Sequence, residues 1–176
     1  MRSALKSRKG NNMKRELSSL LLSALCVVLA PVAFASTTWY VNGASGNDNN
    51  SCLSATTACK TIGHAISLAS AGDSIGVAAA IYIENLDISK SLRLTGAAAS
   101  TTIIDGGGGT VVTISSATAH VSLFNFTIRD GVGPGGGGVS NQGILTIKNS
   151  TISGNAAGAA CHSCGGLGGA FKIMGI

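Results

Sequence analysis

Val121-Ser122-Leu123-Phe124-Asn125-Phe126-Thr127-Ile128-Arg129-Asp130 lies over Leu145-Thr146-Ile147-Lys148-Asn149-Ser150-Thr151-Ile152-Ser153-Gly154 at an offset of 24 residues. Apolar residues meet at 121/145, 123/147 and 128/152, and Asn125 meets Asn149. A step in the low twenties is what one turn of a three-sided β-helix needs. Stacked Asn125 and Asn149 side chains can satisfy one another's amides as a ladder along the axis, a structural role.

Working outward, short β-branched runs follow one another, each closed by Gly, Asn, Asp or Ser. They are Tyr82-Ile83, Leu86-Asp87-Ile88, Leu92-Arg93-Leu94, 102–105, 110–114, 121–128, Val139 and 145–152. Strands this short, with turns every few residues, suit a solenoid better than a sandwich. The glycine runs 106–109 and 135–138 lack the Lys-Ser/Thr and the following helix of a phosphate-binding loop, and read as turns between faces.

The N-terminal 35 residues read as a secretory signal. Arg2, Lys6, Arg8, Lys9, Lys14 and Arg15 precede an apolar stretch from Leu20 to Ala30. Pro31 ends that stretch, and Ala33-Phe34-Ala35 places small residues before a cut between Ala35 and Ser36. The apolar core is shorter than the roughly 18 residues a membrane span needs. The expectation is an exported chain, in the periplasm, outside the cell or at a bacterial surface, with no transmembrane span after cleavage.

Removing that segment removes the charge. The formal net charge of +5 resides in residues 1–35, whereas 36–176 balance six basic residues against six acids. A phosphate-backbone binder needs a concentrated positive face, so nucleic acid is not an expected partner. Four cysteines remain: Cys52, Cys59, Cys161 and Cys164. An even number suits an oxidising compartment and two disulfides. Cys52 and Cys59 flank a short Ser/Thr/Ala loop as a local staple. Cys161-His162-Ser163-Cys164 reads as a second staple, with a spacing that redox pairs and zinc sites also use.

Trp39-Tyr40-Val41 reads as a strand running into the polar loop 42–51. The Asn and Asp oxygens of that loop could hold calcium, but the spacing fits no EF-hand and one carboxylate is too few for tight binding. One helix is expected over Ala58 to Ala71, with Ile62, Ala65, Ile66 and Ala69 on one face and Gly72 as the residue that ends it. No resident cofactor is expected.

The opening Trp39-Tyr40-Val41-Asn42, then Cys59-Lys60-Thr61-Ile62 and Ala71-Gly72-Asp73-Ser74-Ile75, resembles that of bacterial right-handed parallel β-helix proteins of the pectin-lyase-like superfamily. So do Glu84-Asn85-Leu86, Lys90-Ser91-Leu92 and Ile103-Ile104-Asp105-Gly106. The segment 136–155 is similar to the repeat of the same proteins and of polymorphic outer-membrane and adhesin-type passengers. The resemblance implies an all-β, right-handed parallel β-helix with an N-terminal capping helix. On that reading 36–72 form the strand, loop and cap, 73–155 the coils, and 156–176 a Gly/Cys-rich tail opening an incomplete coil. The expectation follows that the chain is truncated, or self-associates through an uncapped C-terminal coil.

Three functions follow. An adhesive or glycan-contacting passenger without catalysis fits an acid-poor surface rich in Ser, Thr and Asn, with Trp39, Tyr40, Tyr82, Phe124 and Phe126 as the aromatic supply. A polysaccharide lyase or glycosidase-like remnant would draw on Asp105, Arg129 and Asp130, which sit at strand ends; no adjacent acid pair exists. An inert fragment of a longer surface protein is the third. Function has to be argued from the site.

Overall fold

Asn125 (φ 64°) and Asn149 (φ 52°) both occupy the left-handed region, and each breaks a run that reads in sequence as one strand. The computed structural model describes residues 35–157 and the backbone of 171–173. The runs 121–128 and 145–152 each divide into two strands, His120–Phe124 with Thr127–Arg129 and Ile144–Lys148 with Thr151–Ser153. The two halves of each run belong to different sheets, because an αL residue turns the chain at the corner.

The strands are β1 (Thr38–Val41), β2 (Ser74–Val77), β3 (Ala80–Ile83), β4 (Leu86–Ile88), β5 (Leu92–Gly96), β6 (Thr102–Asp105), β7 (Val112–Ile114), β8 (His120–Phe124), β9 (Thr127–Arg129), β10 (Val132–Gly133), β11 (Val139–Asn141), β12 (Ile144–Lys148), β13 (Thr151–Ser153), β14 (Ala156–Ala157) and β15 (Phe171–Ile173). The first sheet runs β1-β2-β5-β8-β12, the second β3-β6-β9-β13, and the third β4-β7-β11-β15; β10 and β14 form a small pair. Every pairing is parallel. The chain visits the three sheets in turn, so successive coils stack strand on strand into an all-β parallel solenoid. The 24-residue step holds between β8 and β12, β9 and β13, β6 and β9, and β10 and β14. Elsewhere it varies: Ser74 pairs with Arg93, and Arg93 with Ser122. Turns of different length absorb the difference without disturbing the ladders.

Alternate residues point inward, as strand geometry requires. Ile75, Leu94, Val121 and Leu123 from the first sheet meet Tyr82, Ile104 and Ile128 from the second and Ile88, Val112, Ile114 and Val139 from the third, all buried. Phe126, at the corner after Asn125, is fully buried with them.

The helix is shorter than the periodicity implies. Helix α1 spans Ile62–Leu68, with Thr61 as N-cap and Ala69 as C-cap. Residues 58–61 are drawn out of it by other partners. The Cys59 N–H donates to Tyr40 O, and the Lys60 and Thr61 N–H groups donate to Asp48 Oδ1 at 2.8 and 3.0 Å. Gly72 (φ 94°) belongs to the turn before β2 and does not end the helix. α1 packs its buried Ile62, Ala65 and Ile66 against β1, β2 and β4, so it covers the N-terminal end of the core.

Among the described residues no helix is long and apolar enough to cross a membrane. Residues 1–34 of the expected signal 1–35, and the pair Cys161/Cys164, lie outside the described residues. Ala35 and Ser36 are described and exposed.

Candidate functional site

The N-terminal cap is a network of buried and half-buried carboxylates. Asp73, buried at the start of β2, accepts at Oδ2 from Trp39 Nε1 (2.9 Å) and the Ser70 N–H (2.8 Å), and at Oδ1 from the Thr37 N–H (2.8 Å). Burial pushes the Asp73 carboxyl up, but the bonds from Trp39, Ser70 and Thr37 and the nearby Lys90 charge outweigh it and hold the carboxyl below its ordinary value. Asp48 behaves alike. Its burial is outweighed by bonds from Thr61 and Lys60 and by the His64 charge, so it too is lowered.

The Asp48 oxygens are occupied by Lys60 N–H, Thr61 N–H and the Thr61 hydroxyl. Asn42 Oδ1 accepts from the Ala44 and Ser45 N–H groups, and Asn47 Oδ1 from the Asn49 N–H. The Asn42, Asn47 and Asp48 oxygens thus serve Asx turns and helix entry. Cys52 and Cys59 form a disulfide. His64 lies beside them, but sulfurs already bonded to each other do not serve as thiolate ligands.

Asp105, Arg129 and Asp130 come together on the second sheet. Asp105 pairs with Arg129 in the β6–β9 register, and Arg129 Nε stands 3.3 Å from both Asp105 Oδ2 and Asp130 Oδ2. No aligned hydrogen bond forms at that nitrogen among the described residues, so the contact is one of charge. Both carboxylates stand beside the one guanidinium, Asp105 from the neighbouring strand and Asp130 from the next residue in the chain. Asn125 and Asn149 stand in register at the corner between the first and second sheets, since Phe124 pairs with Lys148 immediately before them. The Asn125 amide donates along the axis to Gly96 O at 3.2 Å, a backbone group of the previous coil, and not to the facing asparagine.

A concave feature among the described residues lies elsewhere, on the outward face of the first sheet. Tyr40, Gly76, Thr95, Phe124 and Lys148 form one ladder across β1, β2, β5, β8 and β12. Thr38, Ser74, Arg93, Ser122 and Thr146 form the ladder beside it. The Arg93 guanidinium sits 4.4 Å from the centre of the Phe124 ring. Neither ladder holds an acid. Over Gly76 opens a recess of about 290 Å³, walled by Tyr40, Thr95 and Ala97 and by Ala55 and Ala58 of the disulfide loop. Of the five aromatic residues singled out in sequence, Tyr82 and Phe126 are buried. Trp39 is half-buried and bonded to Asp73. Tyr40 and Phe124 remain for the surface, and no sequence-local signal joins them, because the strands that carry them are far apart in the chain.

No protein-family model matches the chain, and no curated protein matches it.

Proposed function

We propose that this is an exported right-handed parallel β-helix of the pectin-lyase-like kind, acting as a non-catalytic adhesive module that contacts glycans through the outward face of its first sheet. The observation that carries it is the ladder in which Tyr40 and Phe124, the outward aromatics of that sheet, stand in register with Gly76 and Thr95 between them. A flat parallel sheet presents hydroxyls and ring faces at a spacing of about 4.8 Å per strand, and aromatic faces stack on sugar rings. Arg93 and Lys148, with no acid in either outward ladder, favour polysaccharide that is neutral or acidic. The sequence resemblance supports the handedness, and the three-sheet coil is consistent with it. Export rests on the reading of residues 1–35.

A lyase reading would need Asp105, Arg129 and Asp130 free to act on a substrate, and their mutual ion pairing argues against it. The test is a glycan array probed with the purified chain and with a Tyr40→Ala/Phe124→Ala variant. The expected result is retention of the unmodified chain on polysaccharide spots and at least about a tenfold loss in the variant. Unsaturated product from polygalacturonate with calcium, abolished by Asp105→Ala, would replace the adhesive reading by the enzymatic one.

A further inference from the structure

A glycine inside a strand costs stability, because it loses more backbone freedom on folding and packs nothing against its neighbours. Most such glycines here have a steric reason. A Cβ at Gly96 would come 2.5 Å from Asn125 O, and at Gly133 2.1 Å from Thr110 Oγ1. Gly76 is different. A Cβ there would meet only Trp39 O at 3.9 Å and Tyr40 Cδ1 at 4.0 Å, which are ordinary contacts, and its φ lies outside the left-handed region. Its neighbours Ile75 and Val77 point into the core, so position 76 points out. Neither backbone conformation nor packing requires glycine at this position. What its missing side chain does is open the floor of the recess between Tyr40 and Thr95.

We infer that this recess is a binding subsite for one uncharged pyranose ring, with Gly76 as the position that admits it; the inference rests on the glycan-contacting reading above. The volume of about 290 Å³ is at the small end for ligand sites and suits a single ring. The lining contains no charged side chain. Its polar side chains are Tyr40, Thr95 and Asn42, and the Asn42 oxygen is already used by Ala44 and Ser45. A ring with an apolar face therefore stacks on Tyr40 against alanine methyls and directs hydroxyls to Thr95, the Tyr40 phenol and solvent. A carboxylate placed among Ala55, Ala58 and Ala97 would lose water without gaining a cation.

The experiment is saturation-transfer NMR and titration of the purified chain with methyl β-glucopyranoside, cellotetraose and, as the acidic comparator, trigalacturonate. Gly76→Val fills the floor, and Tyr40→Leu removes the stacking face without adding bulk. The expected result is binding of the two neutral probes to the unmodified chain, lost about tenfold or more in both variants. The melting temperature of Gly76→Val should rise by about 2 °C, because a strand glycine is replaced by a strand former. Neutral-probe binding unchanged in folded Gly76→Val and Tyr40→Leu would overturn the subsite while leaving glycan contact in place. Binding of trigalacturonate alone would overturn the uncharged specificity in the same way. Absence of binding to any of the three probes and to the array would overturn both readings.

Discussion

Glu84 Oε1 accepts the backbone N–H of Ile62 at 3.0 Å, across 22 residues of chain, while Oε2 accepts that of Gly63 at 2.8 Å. A helix of seven residues does not sustain itself in water, and α1 is held from outside at both ends. At its other end Lys90 Nζ donates to Ile66 O at 3.1 Å and Ala69 O at 2.7 Å. Negative charge meets the amino end and positive charge the carboxyl end, as the helix dipole favours. Glu84 and Lys90 thus fasten the cap to the first coil, which gives two of the residues behind the sequence resemblance a physical role.

Glu84→Ala should therefore cost about 1–2 kcal/mol of unfolding free energy, the range of a lost cap with its charge. Glu84→Gln should fall between the two, because its single amide oxygen can keep one of the two bonds. Urea unfolding at neutral pH checks this. Equal midpoints for all three proteins would mean that the cap is not fastened through Glu84.

Asp73 makes stability depend on acid. Its carboxyl is lowered in the folded protein, so in the window between the folded and ordinary values the unfolded chain binds more protons. The contribution is complete above the ordinary carboxylate value of about 3.9 and is lost as pH falls through the lower folded value. Asp48 shifts in the same direction, so the two act together. Urea midpoints measured from pH 6 down to pH 2 should decline below about pH 4. In Asp73→Asn the decline should be shallower. That variant should also be weaker by about 1–3 kcal/mol at neutral pH, because an amide cannot replace both oxygens as acceptors for Thr37, Trp39 and Ser70.

The Cys52–Cys59 disulfide staples the segment that covers the outer edge of β1. Tyr40 N–H donates to Cys52 O at 2.8 Å, and Asn42 N–H to Cys59 O at 2.8 Å, so the stapled loop supplies backbone partners to an edge that would otherwise be a pairing template. A Cys52→Ser/Cys59→Ser variant should lose about 2–3 kcal/mol, the entropy of a short closed loop. Amide exchange at Tyr40 and Asn42 should accelerate far more than at Leu94 or Leu123 in the interior. Uniform acceleration would show a global loss and no edge-covering role.

Much of this architecture is legible in the chain, and the rest is hidden for identifiable reasons. Short β-branched runs and the 24-residue match of 121–130 on 145–154 disclose parallel stacking, and the Cys52/Cys59 spacing discloses the staple. The corners escape because a residue in the αL region leaves no mark on apolar alternation: Leu123 and Ile128 look like one strand until Asn125 turns the chain. The helix ends escape because what sets them comes from elsewhere, Asp48 twelve residues before Lys60 and Lys90 in the turn before β5. The site escapes most completely. Tyr40, Gly76, Thr95 and Phe124 become neighbours only through three successive registers, and a glycine's empty side is visible only against the wall opposite.

The corner between the first and second sheets gives the sharpest test of the coil itself. Gly96 and Asn125 occupy it in consecutive coils, joined by the Asn125 amide on Gly96 O, with no room at Gly96 for a methyl group beside Asn125 O. Gly96→Ala should cost about 2 kcal/mol or more, since a backbone oxygen and not a mobile side chain must give way. Asn125 presents a different case, a left-handed backbone at a residue other than glycine. Asn125→Gly loses one amide bond but relieves the conformation, and should stay within about 1 kcal/mol of the unmodified protein. Asn125→Val places a β-branched residue at positive φ and should cost about 2–3 kcal/mol. Urea midpoints of the three variants decide the matter. If valine and glycine at position 125 prove equally stable, the corner is not set by the left-handed residue, and the division of 121–128 into two strands loses its physical basis.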